Sequence, residues 1–271
     1  MGELSDKNAI VTGAGRMRSI GHSVCVALAR EGANVVMTGT GRDPSLYPDD
    51  EKAAGWRDIE SVADEVRAEG VKALPLVVDA RDAEAVKKMI SQASSELGSI
   101  DILVNNAAAA KGNDRVPFVE LDDDLWRLII DVNLTGAYYA SKYTAIQMID
   151  QGHGGRIINI SSVAGQRASA NTGAYGVSKA GIIGLNRYFA VELARHEINV
   201  NCVAPGLTAT YRVDDVMKAA EGNPEVFRPL IPMGRAGSPD EIADAVVFFA
   251  GPRSNYITGQ TLNVDGGIYM D

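Results

Sequence analysis

Short apolar runs rich in β-branched residues alternate with longer amphipathic stretches along nearly the whole chain. Asn8–Thr12 reads as a strand, Gly21–Ala29 as a helix and Asn34–Thr38 as a second strand, so the chain opens with a βαβ unit. The rhythm continues. Val71–Val78 predicts a strand, Ala83–Leu97 a helix, Ile100–Val104 a strand and Asp123–Gln147 a long helix. Arg156–Ile160, Ile198–Val203 and Thr261–Val264 predict three more strands, with helices at Gly173–Leu193 and Ser238–Phe249 between them. Ser238-Pro239-Asp240-Glu241 supplies an N-cap, a proline at the first helical position and the acid of a capping box. The strands carry Val and Ile at consecutive rather than alternate positions, the pattern of a parallel sheet buried on both faces. The expected fold is α/β, a doubly wound parallel sheet of about seven strands flanked by helices, formed as one domain over residues 1–271.

Two segments interrupt this rhythm. Gly39–Trp56, with Pro44, Pro48 and the acidic run Asp49-Asp50-Glu51, is longer than an ordinary strand-to-helix connection and reads as an insertion on the cofactor side. Thr208–Pro232 follows the Ile198–Val203 strand, at the end of the sheet where such folds bind ligands, and is expected to be a substrate lid. It offers Tyr211, Arg212, Val213, Met217, Phe227 and Leu230 to a partly apolar pocket. Arg212 and Arg167 could meet an anionic group, although solvated surface charge is the simpler reading of each.

Composition narrows the partners. The net charge of -9 argues against nucleic acid or an anionic membrane surface. No apolar run approaches the roughly 20 residues that span a bilayer, and the N-terminus has no signal-peptide core, so a cytoplasmic protein is expected. Cys25 and Cys202 form no C-x-x-C motif and read as small core residues, and His22, His153 and His196 have no metal-ligand spacing, so no metal is expected.

The first turn, Thr12-Gly13-Ala14-Gly15-Arg16-Met17-Arg18-Ser19-Ile20-Gly21, links a strand to a helix N-terminus. Backbone N–H groups in that setting suit a dinucleotide pyrophosphate. NAD-binding proteins often carry an acid for the ribose 2′-hydroxyl at the end of the second strand. Here Gly39-Thr40-Gly41-Arg42 has none, and Arg16 or Arg42 could pair with a 2′-phosphate, so NADP(H) is expected over NAD(H). Arg18 reads as a solvated charge. In the Gly173–Leu193 helix, Tyr175 and Lys179 lie four residues apart on one face. An ammonium beside a phenol lowers its pKa and makes it a usable acid or base near neutrality.

Taken together, these features resemble the classical short-chain dehydrogenase/reductases, of the 3-oxoacyl-(acyl-carrier-protein) reductase type, from about Lys7 to Gly267. The resemblance rests on the Thr12-Gly13 turn, Asp79-Ala80, Asn105-Asn106-Ala107-Ala108, Asn133 within Asp131–Gly136, Asn159-Ile160-Ser161-Ser162, Tyr175 and Lys179, Pro205-Gly206, and the C-terminal Tyr256–Gly259 and Val264–Gly267. It implies a Rossmann fold with Tyr175 as proton donor or acceptor. Lys179 would lower the tyrosine pKa and hold the nicotinamide ribose, Ser162 would bond the substrate oxygen, and Asn133 would position a relay water. It assigns cofactor contacts to Gly13, Gly15, Arg16, Ser19, Ile20, Thr40, Arg42, Asp79, Ala80, Asn106, Ala107, Pro205, Gly206, Thr208 and Thr210. It also implies a homotetramer pairing the Asp123–Gln147 and Gly173–Leu193 helices, with a small carbonyl or alcohol compound as substrate.

The sequence departs from the family pattern in the lengthened glycine turn, with Ser19 where a glycine is usual, in Ala108 for glycine, and in the 39–56 insertion. The turn resembles that of divergent enoyl-thioester reductases, which leaves enoyl reduction as an alternative to ketone/alcohol chemistry. A non-catalytic dinucleotide-binding scaffold is the remaining alternative, and the presence of Asn133, Ser162, Tyr175 and Lys179 speaks against it.

Overall fold

The computed structural model describes residues 2–220 and 223–270. Its seven strands are β1 (Asn8–Val11), β2 (Asn34–Gly39), β3 (Ala73–Val77), β4 (Ile102–Asn105), β5 (Gly155–Ile160), β6 (Ile198–Pro205) and β7 (Thr261–Val264). They form one parallel sheet in the order β3-β2-β1-β4-β5-β6-β7. The strand order reverses between β1 and β4, which opens a crevice above their carboxyl ends.

The helices are α1 (Ile20–Arg30), α2 (Asp49–Ala53), α3 (Ile59–Ala68), α4 (Ala83–Leu97), α5 (Asp123–Ile130), α6 (Gly136–Gln151), α7 (Gly173–Leu193), α8 (Asp214–Ala219) and α9 (Pro239–Ala250). Alternate strand residues serve opposite faces. Val11, Val35, Met37, Val104 and Ile158 pack against α1, α3 and α9 through Val24, Leu28, Val62, Val66, Ile242 and Val246. Ile10, Val36, Leu103, Ile157 and Val200 pack against α4, α6 and α7 through Met89, Ile90, Met148, Ala190 and Leu193. Burial on both sides explains why the strands read as unbroken apolar runs. Cys25 and Cys202 are buried in this core, and burial pushes the Cys202 thiol up to about 12.

The predicted elements match to within a few residues, with instructive differences. The Asp123–Gln147 stretch is helical throughout and extends to Gln151, but Asp131–Thr135 between α5 and α6 is a π-helical turn. The capping box forms, with Ser238 Oγ accepting from Glu241 N at 3.2 Å and Glu241 Oε2 accepting from Ser238 N at 2.8 Å. The insertion has structure of its own, a 3-10 turn at Pro44–Leu46 followed by α2. Residues 208–232 contain 3-10 turns at Tyr211–Val213 and Pro224–Phe227 with α8 between them; residues 221–222 of this segment, and the chain end at Asp271, lie outside the described residues.

Candidate active site

The first two turns of α7 bring Tyr175 and Lys179 to the carboxyl end of β5. Lys179 is buried, and its Nζ donates to the Ile160 carbonyl at 2.7 Å. Ser161, quoted in the Asn159–Ser162 motif but given no role there, donates its hydroxyl to the Lys179 carbonyl at 2.7 Å and ties α7 to the end of β5. A side chain at Gly165 would come within 2.7 Å of the Lys179 backbone, so glycine there lets the 163–165 turn lie against the helix. Ser162 caps that turn from an extended conformation, its Oγ accepting from Ala164 N at 3.2 Å.

Burial alone would raise the Tyr175 pKa. The cations of Lys179, Arg212 and Arg115, together with the Ser162 hydroxyl, outweigh it and hold the phenol below its ordinary value. Lys179 is itself depressed, chiefly by burial and further by Arg212, with the Tyr175 charge opposing.

Asn133 sits in the π turn and is buried. Its Oδ1 accepts from Ala109 N at 2.7 Å and its Nδ2 donates to Ser178 Oγ at 2.9 Å. Ser178 Oγ in turn donates to the Tyr175 carbonyl at 2.8 Å. The Asn133 amide thus joins the loop after β4 to the first turn of α7.

The crevice at the β1/β4 reversal is a cleft of about 590 Å³. Gly13, Gly15, Arg16, Thr40, Arg42, Asp79, Ala80 and Ala107 line it. Gly13 has φ +70°, and a Cβ there would approach the Ala107 Cα to 2.6 Å, so the turn is open to a ligand only as glycine. Asn106 supports the wall from behind, its Nδ2 donating to the Thr12 and Gly13 carbonyls at 2.9 and 2.8 Å. The remaining expected contacts stand outside this wall. Ser19 caps α1, accepting from His22 N at 3.2 Å, with Ile20 next to it as the first residue of the helix. Pro205 and Gly206 end β6, where Gly206 N donates to the Val264 carbonyl at 3.0 Å. Thr208 and Thr210 are buried beyond them.

The insertion changes the end of the cleft beside β2. Glu51, buried at 2% exposure, accepts from Arg16 Nε at 2.8 Å, from Met17 N at 3.0 Å and from Arg42 Nη1 at 3.1 Å. Trp56 Nε1 donates to the Gly15 carbonyl at 2.8 Å. The sequence showed no acid at the end of β2, yet Asp58 brings one there from the start of α3. Its Oδ2 pairs with Arg42 Nε at 3.2 Å, while the buried Oδ1 has no hydrogen-bond donor and lies where a Cβ of Gly15 would stand. Both arginines assigned to a 2′-phosphate are therefore already paired with carboxylates. Asp58 and Glu51 are far in sequence from the turn they complete, and only the length of the insertion hinted at them.

Sequence and structure comparisons bear on this site. A family model described as enoyl-(acyl carrier protein) reductase matches residues 13–269. The chain belongs to the short-chain dehydrogenase/reductase family. This short-chain dehydrogenase/reductase is 38% identical to a 3-oxoacyl-(acyl-carrier-protein) reductase of Staphylococcus aureus, over 97% of this chain and 98% of that protein. It is 36% identical to nodulation protein G of Azospirillum brasilense, over 98% of this chain and 99% of that protein. The structure of carveol dehydrogenase from Mycobacterium avium in complex with NAD superposes with a TM-score of 0.86 at 32% identity, covering 99% of each chain. Membership makes the protein an NAD(P)-dependent oxidoreductase acting on CH–OH and C=O groups.

In this short-chain dehydrogenase/reductase, segment 208–232 is tied to both walls of the cleft. Tyr211 N donates to the Arg18 carbonyl at 3.1 Å, and the Tyr211 ring lies 3.6 Å below the Arg16 guanidinium. Arg18 forms two bonds of 2.6 Å to Asp214 and one of 2.8 Å to Asp50. It is exposed, as a solvated charge would be, and also bridges the insertion, the glycine turn and α8. On the opposite wall Lys111 pairs with Asp215 at 2.8 Å, and Arg212 Nη1 donates to the Ala109 carbonyl at 2.6 Å. Among the described residues no group of histidine, cysteine and acidic side chains could hold a metal, and no helix is long and apolar enough to cross a membrane.

Proposed function

We propose that this enzyme interconverts a ketone and a secondary alcohol, with Tyr175 transferring the proton. The observation that carries the reading is the buried Lys179 one helical turn from Tyr175, with Arg212 and Arg115 adding to the field that depresses the phenol. A nicotinamide dinucleotide bound in the cleft supplies or accepts the hydride at the substrate carbon. In reduction the Tyr175 hydroxyl donates its proton to the substrate oxygen, which Ser162 Oγ holds by a hydrogen bond. In oxidation the same hydroxyl, as phenolate, takes the proton back. Lys179 favours the phenolate and, as the family resemblance implies, meets the nicotinamide ribose. Asn133 is a positioning residue, keeping α7 and the Ala107–Ala109 strip in register. Segment 208–232 acts as the lid.

The glycine cradle and the ribose-end groups fit a dinucleotide. For its identity we favour NAD(H), the reverse of the expectation from Arg16 and Arg42. Those two cations are balanced by Glu51 and Asp58, so a 2′-phosphate would enter beside two buried carboxylates. Asp58 lines the cleft, and a carboxylate there suits a ribose hydroxyl rather than a phosphate. Oxidation of NADH and of NADPH with a panel of ketones tests both levels. NADH is expected to give the higher kcat/KM, and Asp58→Asn, which removes one charge, to improve the NADPH value about tenfold, a change of ~1.4 kcal/mol. A wild-type preference for NADPH that Asp58→Asn leaves unmoved would return the assignment to the arginines.

The description of the matching family model favours enoyl reduction as a second reading. Comparing an enoyl thioester with a 3-oxoacyl thioester separates the two, and reduction of the enoyl compound alone would decide for it. We also propose a homotetramer, paired through α5–α6 and α7 as the family resemblance implies.

A further inference from the structure

Two guanidinium groups stand over the Tyr175 ring, and the proton transfer outlined above gives neither a place at the substrate. Arg115, on the loop after β4, has its guanidinium carbon 4.8 Å from the ring centroid. Arg212, on the 3-10 turn that opens segment 208–232, has its own at 5.6 Å. Both side chains are half-buried. Lys179 Nζ lies 5.8 Å from the same centroid, so three cations from three separate parts of the chain surround one phenol.

One carboxylate faces the two guanidinium groups. Buried Asp114 pairs with Arg115, its Oδ2 3.6 Å from Nε, while its Oδ1 accepts from Gly112 N at 3.1 Å. Arg212 donates to the Ala109 carbonyl and has no carboxylate partner among the described residues. The other arginines around the cleft contrast with this pair: Arg16, Arg18 and Arg42 each form close ion pairs with Glu51, Asp50, Asp214 or Asp58. Gathering positive charge at a half-buried site is costly unless an anion completes it. The planar fork of a guanidinium matches a carboxylate in particular.

We infer that the substrate is a small oxo acid, interconverted with its hydroxy acid, whose carboxylate is held by Arg115 and Arg212 while its carbonyl oxygen meets Tyr175 and Ser162. This rests on the ketone/alcohol reading above and names the substrate class within it. Guanidinium groups 4.8 and 5.6 Å from the tyrosine ring centroid suit a short acid, with its carboxylate close to the reacting carbon. In reduction the carbonyl carbon gains the hydride from the reduced dinucleotide and the oxygen gains the Tyr175 proton. The carboxylate is unchanged, and the dinucleotide leaves oxidised. A thioester or plain ketone brings no counter-charge to the two arginines.

Matched probes test this: acetoacetate against methyl acetoacetate, and pyruvate against methyl pyruvate. Binding is read by calorimetry on the protein loaded with oxidised dinucleotide, where no reduction occurs, and turnover by reduced-dinucleotide consumption. At least one acid is expected to bind tenfold or more tighter than its ester and to show the higher kcat/KM. Arg115→Gln and Arg212→Gln are each expected to cut that preference at least tenfold, with Arg212→Lys restoring part of it. Binding of both acids no tighter than their esters overturns the inference, whether or not either is reduced. So does an equal loss for acid and ester in both Gln variants, which would confine the arginines to acting on Tyr175. Tight, arginine-dependent binding of an acid without reduction of any probe would count instead against the ketone/alcohol reading and leave an anion site standing.

Discussion

A phenol withdrawn from water holds its proton more tightly, and at Tyr175 this is opposed by Lys179, Arg212, Ser162 and Arg115. The net pKa is lowered, so the phenolate needed for alcohol oxidation is present at a lower pH than for a free tyrosine. Removing one cation reverses part of this. With a neutral secondary alcohol, Arg212→Gln is expected to move the rising limb of the oxidation pH–rate profile to higher pH, and an unmoved limb would remove Arg212 from the field acting on Tyr175. Much of this site is legible in the sequence because Tyr175 and Lys179 share one helix and Ser162 lies just beyond the preceding strand. Arg115 and Asp58 are not legible. Each acts on a group contributed by a distant segment, and neither has a spacing that marks it. Asn133 is legible as a position, but the partners of its amide follow from the π turn, which no residue pattern announces.

Among the elements, a line of buried amides fixes how the strands and helices meet behind the site. Asn105 Nδ2 donates to Ser141 Oγ and to Asn159 Oδ1, both at 2.8 Å. Asn159 Nδ2 reaches Asn186 Oδ1 at 3.3 Å, and Asn186 Nδ2 reaches the Gln260 carbonyl at 3.2 Å. The line thus joins β4, β5, α6, α7 and the residue before β7. Asn159 is fully buried at its centre. Asn159→Leu strips a partner from both neighbours and is expected to cost about 1–3 kcal/mol per buried group left unpaired. Chemical denaturation of the two proteins measures it; a midpoint equal to wild type would show that the line contributes nothing net. Regular elements with strong end signals, such as α9 with its capping box, are readable to within a residue. The insertion is not, because α2 spans only Asp49–Ala53 and is held by tertiary ion pairs rather than by a periodic apolar face.

For the whole molecule, the unbroken apolar strands dictate a sheet covered on both faces, and that much of the fold follows from the chain pattern. What covers α6 and α7 on the outside does not. Tyr188 and Val191 on α7 are 76% and 81% exposed, with Val177 on the same helix and Tyr138 and Ile146 on α6 also open. Large apolar groups gathered on two neighbouring helices are what a subunit interface would bury. Sedimentation at micromolar concentration is expected to show a tetramer, and Tyr188→Glu with Val191→Glu to give smaller species. A wild-type monomer would contradict the proposed assembly.

Proton transfer is the step we assign to Tyr175. Tyr175→Phe keeps the ring and removes only the hydroxyl, so it isolates chemistry from packing. Single-turnover reduction with a substrate found in the panel, beside dinucleotide binding followed by fluorescence, is the direct measurement. A fall of about 10²–10⁴-fold in the reduction rate is expected, with the dinucleotide Kd within a few-fold of wild type. Reduction at or near the wild-type rate would contradict the account.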